Sequence, residues 1–209
     1  MSLNEDLKKA LVELRKEKAR KFDQTVDLIL NLQKLDLKKT TINLFVNVPH
    51  KAKEKRIAAF LETQNKNVDT ITEADFKKYS DKKVLKGLVK KYDFFISQAS
   101  LMPKVAAAFG RVLGPSGKMP SPQLGILMNV NDKTIEEIKK KIDNSVKVKL
   151  KESSIKVPVG KQSMKDEDLI ENVIAVYNAS VKALPRDLEN IKNLEIKFTM
   201  TKPQKIKLR

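Results

Sequence analysis

Apolar residues change their spacing twice along this chain, and that change restricts the architectures open to it. Leu3, Leu7, Leu11 and Leu14 recur every three or four residues, the stripe of an amphipathic helix. The spacing predicts a second helix over 24–32, with Val26, Ile29 and Leu30 as its stripe. Ile42, Leu44, Val46 and Val48 then alternate with Asn43, Phe45 and Asn47, the two-residue period of a half-buried strand. Pro49 ends that strand, because proline cannot donate to a ladder.

From residue 52 to 149 strand and helix signals take turns. Residues 56–61 and 94–96 read as buried strands, and 84–92, 101–113 and 132–142 read as helices. Pro103 is tolerated in a first helical turn, and Asn131 or Asp132 caps the third helix. The stretch 124–130 has no clear period. Alternation of this kind predicts a small doubly wound α/β unit. After residue 149 the strand period returns at Ile155, Val157 and Val159, followed by a helix over 166–184. Leu194, Ile196, Phe198 and Met200 alternate next, which puts Thr199 and Thr201 on the polar face, and Ile206 with Leu208 gives a last short alternation. The economical architecture is a discontinuous α+β domain from both termini, 1–51 plus 150–209, with an α/β domain inserted at 52–149.

A chain of 209 residues suits two such domains, and its 41% hydrophobic content supplies them with cores. Its 43 Lys and Arg outnumber 26 Asp and Glu, giving a formal charge of +17. The excess runs along the whole chain, so folded surfaces and not a tail present it. A field of this sign draws polyanions, nucleic acid foremost. Trp is absent and aromatics are only 5%, which speaks against base stacking as the main binding device. Without Cys there is no thiolate nucleophile, disulfide or thiolate metal site. The single histidine, His50, follows Pro49 at a strand end and suits capping better than general-base work. No cofactor or metal is expected. No apolar run reaches the roughly 18 residues of a membrane span. Residues 1–20 form a charged helical pattern without the apolar core of a signal peptide, so a cytoplasmic protein is expected.

The most distinctive segment is 110–122, GRVLGPSGKMPSP. A phosphate-binding loop requires G-x-x-x-x-G-K-[ST], yet Val112 stands at the first glycine position and Met119 follows Lys118. Gly110, Gly114 and Gly117 also miss the dinucleotide spacing. A rigid basic surface loop carrying Arg111 and Lys118 is the expectation. Asp166, Glu167 and Asp168 suit a helix start, where the macrodipole favours carboxylates. Lys147, Lys149 and Lys151 fall on one strand face, equally suited to touching phosphate or to being its solvated side. In the segment 20–26, Phe22 is a candidate hydrophobic staple, and Asp23 or Thr25 a helix cap.

Four segments, KFDQTVDLILNL at 21–32, FFISQASLMP at 94–103, GRVLGPSGKMPSP at 110–122 and PVGKQSM at 158–164, precede a strand ending in Thr199 and Met200. In this order and spacing the chain resembles the ribosomal protein L-one family, its archaeal members most. The resemblance implies a terminal-segment α+β domain with a Rossmann-like insert, the crossings lying near 51–53 and 149–151. It implies a non-enzymatic protein that binds the stalk region of large-subunit ribosomal RNA, is cytoplasmic and ribosome-bound, and is monomeric off the ribosome. It further implies translational repression through the protein's own mRNA and assistance in releasing deacylated tRNA from the exit site.

The family's RNA contacts map onto Lys21, Phe22, Thr25, Gly160, Lys161, Ser163, Thr199, Met200 and Thr201. Hydroxyls of Thr199 and Thr201 suit phosphates and ribose 2′-OH groups, and Lys21 and Lys161 add charge-assisted bonds. Phe22 either packs on a ribose or base or braces its own segment. The family's usual Thr-Met-Gly-Pro is replaced by Thr199, Met200, Thr201, Lys202 and Pro203, which adds a Cβ at Thr201 and a charge at Lys202. A general basic nucleic-acid binder is the alternative. An enzyme with a nucleotide site in the insert is opposed by the failed glycine spacings.

Overall fold

In the computed structural model, residues 25–32 form a strand and not the helix that their Val26, Ile29 and Leu30 spacing predicts. The decisive phase is Val26, Leu28, Leu30 and Leu32, all buried, against half-buried Thr25, Asp27, Ile29 and Asn31. Three β-branched residues, Thr25, Val26 and Ile29, fit a pleated surface well, and neighbouring strands on both sides satisfy the backbone. The structure describes residues 3–18, 20–36, 42–79, 81–128, 130–150 and 152–206.

The chain divides into two compact units, one of residues 1–53 with 144–209 and one of residues 54–143. In the first, helix α1 (Leu3–Arg15) precedes strand β1 (Thr25–Leu32), and a two-stranded ribbon pairs β2 (Asn43–Asn47) with β7 (Ser145–Lys149). This pairing draws 144–149 into the terminal unit, so the second boundary lies at 143/144 and not 149/150. Strand β8 (Ser154–Lys161), helix α5 (Asp166–Ala183), β9 (Ile191–Phe198) and β10 (Gln204–Ile206) complete the unit. Its antiparallel sheet has the order β10-β9-β1-β8. One continuous core joins Leu7, Leu11 and Leu14 of α1 to Val26, Leu28, Leu30, Val157, Val173, Ile196 and Phe198. Leu208 and Lys151 lie outside the described residues.

The second unit holds β3 (Ile57–Phe60), β4 (Asp69–Ile71), α2 (Lys82–Lys91), β5 (Phe94–Gln98), α3 (Met102–Ser116), β6 (Ile126–Leu127) and α4 (Asp132–Asp143). Its strands are parallel in the order β4-β3-β5-β6. Every residue of β3 is buried because both faces are covered, the rule for parallel sheets. Ala58, Phe60 and Phe95 pack with Leu85, Leu88, Phe109 and Leu113 of α2 and α3. Ile57, Ala59 and Ile96 pack with Ile135 and Ile142 of α4.

The glycine- and proline-rich segment is largely helical. Helix α3 runs through Gly110, Gly114 and Pro115, and ends where Gly117 takes φ 70°, the left-handed value that suits a glycine cap. Of its two basic residues Arg111 is exposed, whereas the Lys118 ammonium donates to the carbonyls of Val89 (2.7 Å) and Tyr92 (2.8 Å). Lys118 thus closes the end of α2 and does not share a loop surface with Arg111.

Candidate nucleic-acid interface

Three neighbouring strands end together at one edge of the antiparallel sheet. Thr25 opens β1 opposite Lys161, and Val26 lies opposite both Gly160 of β8 and Phe198 of β9. The register therefore collects Thr25, Lys161 and the turn after Phe198 from segments far apart in the chain. Exposed Lys21 and Phe22 lead into β1 as an irregular approach, not as a helix start with caps and a staple.

Hydrogen bonds lock these strand ends to one another. The Thr25 N–H donates to Thr199 Oγ1 at 3.1 Å, and that hydroxyl lies 3.4 Å from the Thr25 carbonyl, which accepts from it. Ser163 donates its N–H (3.0 Å) and its hydroxyl (2.8 Å) to the Asp23 carboxylate, with the Lys161 ammonium 3.7 Å from the same group. Desolvation pushes the Asp23 carboxyl up, but the Ser163 donors and Lys161 outweigh it and hold it below its ordinary value. Thr199 and Ser163 are both exposed, so each can offer its remaining hydrogen-bonding capacity to a partner.

Strand β9 stops at Phe198, and the following turn reverses the orientation expected from alternation. Met200 is exposed at 56%, whereas Thr201 is buried. The Thr201 hydroxyl accepts the Phe198 N–H at 2.9 Å and the Thr201 N–H donates to the Phe198 carbonyl at 3.2 Å. Thr201 therefore closes the turn from within, and its extra Cβ is absorbed by the protein. Gly160 also faces inward. A Cβ there would press on Leu169 Cδ2 and on Met164 Sδ (2.8 Å), so these side chains would have to shift, and glycine lets them pack directly on β8.

Lys21, Phe22, Thr25, Lys161, Ser163, Thr199 and Met200 are thus gathered at this edge, with Phe22 51% exposed. Arg111 and Lys118 belong to the other unit.

Two organising residues escape the sequence reading. Gln24 is buried. Its side-chain oxygen accepts the Met200 N–H at 3.1 Å, its amide donates to Gln162 Oε1 at 3.1 Å, and its carbonyl accepts the Gln162 N–H at 2.8 Å. Its even-numbered place in the inward series Val26, Leu28, Leu30 was the available signal. Arg15, at the end of α1, donates to the carbonyls of Gln162 (2.9 Å) and Met164 (3.0 Å) and to Asp166 Oδ1 (2.6 Å). It fixes the 162–166 turn, and nothing local in sequence signals so distant a partner. Asp166 keeps the helix-start position expected of it.

His50 is a brace in the same unit. Its N–H donates to Asn172 Oδ1 at 3.0 Å, and the fully buried Asn172 amide donates to the carbonyls of His50 (3.0 Å) and Val159 (2.9 Å). Its ring Nε2 lies 2.8 Å from Glu171. Lys147 projects over the Phe45 ring at 5.1 Å from its centroid, and burial followed by Lys149 pushes its ammonium pKa down.

Hydroxyls, an ammonium and two exposed apolar side chains at a sheet end, in a chain of charge +17, have the chemistry of a macromolecular contact and not of bond cleavage. The chain belongs to the Ribosomal protein L1p/L10e family, which it matches over residues 14–202. It is 34% identical over 196 residues to the large ribosomal subunit protein uL1 of Nanoarchaeum equitans, covering 89% of this chain and 92% of that one. The protein of the same name from Pyrobaculum calidifontis is 38% identical over 212 residues, with coverage of 96% and 92%. That of Thermofilum pendens is 35% identical over 218 residues, with coverage of 98% and 92%. Members of the family are structural proteins of the cytoplasmic ribosome and not enzymes, and membership implies binding of ribosomal RNA. No described helix is long and apolar enough to cross a membrane.

Proposed function

We propose that this protein binds the stalk region of large-subunit ribosomal RNA through the end of its antiparallel sheet. The observation that carries the reading is the convergence of Thr25, Lys161, Ser163 and Thr199 beside exposed Phe22 and Met200. The hydroxyls of Thr199 and Ser163 address phosphates and 2′-OH groups, Lys161 and Lys21 add charge, and Phe22 and Met200 pack against ribose or an unpaired base. The edge is held by Gln24 and Arg15 before RNA arrives, so little ordering cost falls on binding. Gly160 and Thr201 act from behind this surface.

The same surface serves a mimic in the protein's own mRNA, which gives translational repression. On the ribosome the protein assists the release of deacylated tRNA. The parallel-sheet unit is a Rossmann-like domain inserted into the terminal-segment domain, and the protein off the ribosome is a monomer.

Binding to the isolated stalk RNA is compared with a shuffled RNA of equal length and a duplex DNA, from low to physiological salt. Stalk RNA should keep nanomolar-range affinity where the others weaken beyond about 1 μM. Equal fading of all three would leave only a general basic nucleic-acid binder, the reading that the charge by itself supports.

A further inference from the structure

The parallel-sheet unit carries an open cleft of about 270 Å³, lined by Lys55, Arg56, Lys91, Lys139, Asp69 and Tyr92 together with Ile57, Asn67 and Val68. We propose that this cleft is a phosphate-binding pocket, which takes either the backbone of an RNA segment or a small free phosphate.

Four cations from three parts of the fold line one depression. Lys55 and Arg56 enter β3, Lys91 ends α2, and Lys139 projects from the third turn of α4. Asp69 is the single carboxylate in the lining, and it accepts the Tyr92 hydroxyl at 2.6 Å. Its charge is therefore partly spent within the protein, and the cleft keeps an excess of positive charge. A volume near 270 Å³ is below the roughly 300–1,000 Å³ of pockets that enclose drug-sized ligands, and it suits a phosphate with its sugar.

Helix ends offer a competing account, because α2 and α4 both finish here and cations are favoured at helix C-termini. That account covers three of the four, since Lys91 is the last residue of α2. Lys55 donates to the Ile142 carbonyl at 2.5 Å, and Arg56 lies 3.5 Å from the Lys90 carbonyl that accepts from it and 3.6 Å from Asp93. The Lys91 ammonium, at the end of α2, lies over the Tyr92 ring, 4.9 Å from its centroid, and the residue is exposed. Lys139 is exposed on α4. Lys139, short of the last turn of α4, supplies charge that the helix ends do not account for, and exposed Lys91 adds to it.

The position in the sheet sets the mode of recognition. Nucleotides in α/β folds sit beyond the carboxyl ends of strands, where helix N-termini supply backbone amides. This cleft lies at the opposite, amino-terminal edge, beside the first residue of β3. Recognition here comes from side-chain charge, so it is blind to base identity and sensitive to salt. The RNA source of the phosphate rests on the proposed function, whereas the pocket itself does not.

The test uses the full chain labelled for amide NMR, titrated first with inorganic phosphate and then with hexauridylate. Saturable shifts should cluster at Ile57, Asn67, Val68 and Tyr92, and Lys91→Ala with Lys139→Ala should weaken them about tenfold. Tighter binding of hexauridylate identifies an RNA backbone, and tighter binding of phosphate identifies a small anion, and either supports the pocket. The variant Thr199→Ala loses shifts at the sheet end but should leave those at Ile57, Asn67, Val68 and Tyr92 unchanged, so failure there is separable from failure here. Shifts spread without saturation over all lysine-bearing surfaces, or a double variant that titrates as wild type, would overturn the proposal.

Discussion

The side-chain oxygen of Gln24 accepts the backbone N–H of Met200 at 3.1 Å, joining residues 176 positions apart at the edge proposed to meet RNA. Because Gln24 is buried and also holds Gln162, it sets the spacing between the turn after β9 and the turn after β8. Replacing it with Leu keeps most of its bulk but leaves the Met200 N–H and Gln162 without these partners. Gln24→Leu should cost about 1–3 kcal/mol in chemical unfolding. It should also weaken stalk RNA binding, since Met200 and Ser163 lose their fixed separation.

Glycines in this chain differ in what they permit. A Cβ at Gly160 would collide with Leu169 and Met164, whereas one at Gly110 in α3 meets nothing within 4 Å. Gly160→Ala should destabilise the fold by about 1–3 kcal/mol, because the fully buried Leu169 would have to repack. Gly110→Ala should stabilise it by about 0.5–1 kcal/mol through helix propensity. Thermal unfolding of the two variants reads both signs.

Buried Thr201 accepts the Phe198 N–H through its hydroxyl at 2.9 Å. Thr201→Val preserves shape but leaves that buried donor unsatisfied, at about 1–3 kcal/mol in unfolding free energy. Thr201→Ser should retain most of the stability. If Val and Ser behave alike, the hydroxyl is not what closes the turn.

Acid should loosen this edge through Asp23. Its carboxyl is held below the ordinary 3.8, so the ionised form is stabilised in the folded protein. That contribution is present above the ordinary value and is lost as pH falls through the lowered one. The stability gap between wild type and Asp23→Asn should therefore be constant near neutrality, narrow below pH 3.8 and then close. A gap that persists in acid would contradict the assignment of charge to the Asp23–Ser163 contact.

Much of the fold was legible because burial follows local period. The Leu7, Leu11 and Leu14 stripe, the alternation around Val46 and Val157, the fully apolar β3 and the apolar start of β5 are all patterns within one element. Strand β1 carries both periods, because Ile29 fits a helical stripe as readily as Leu28 fits a strand. Neighbours on both sides, which local sequence does not reveal, decided between them. The boundary at 143/144 depended likewise on β7 finding β2. At the interface, motif residues identify the edge but not their orientation. Alternation placed Met200 inward and Thr201 outward, and a turn that begins one residue earlier inverts both. The Arg15–Asp166 pair spans 151 positions and has no local signature.

The most direct test of the sheet-end interface is the affinity of Phe22→Ala combined with Met200→Ala for stalk RNA and for a shuffled RNA at the same salt. Both side chains are more than half exposed, so the double variant should melt with wild-type stability. If they pack against structured RNA, stalk RNA binding should fall by about tenfold or more, the scale of one lost stacking contact, while shuffled RNA is unaffected. Equal loss on both RNAs, or no loss on either, would contradict a specific RNA surface at this end of the sheet.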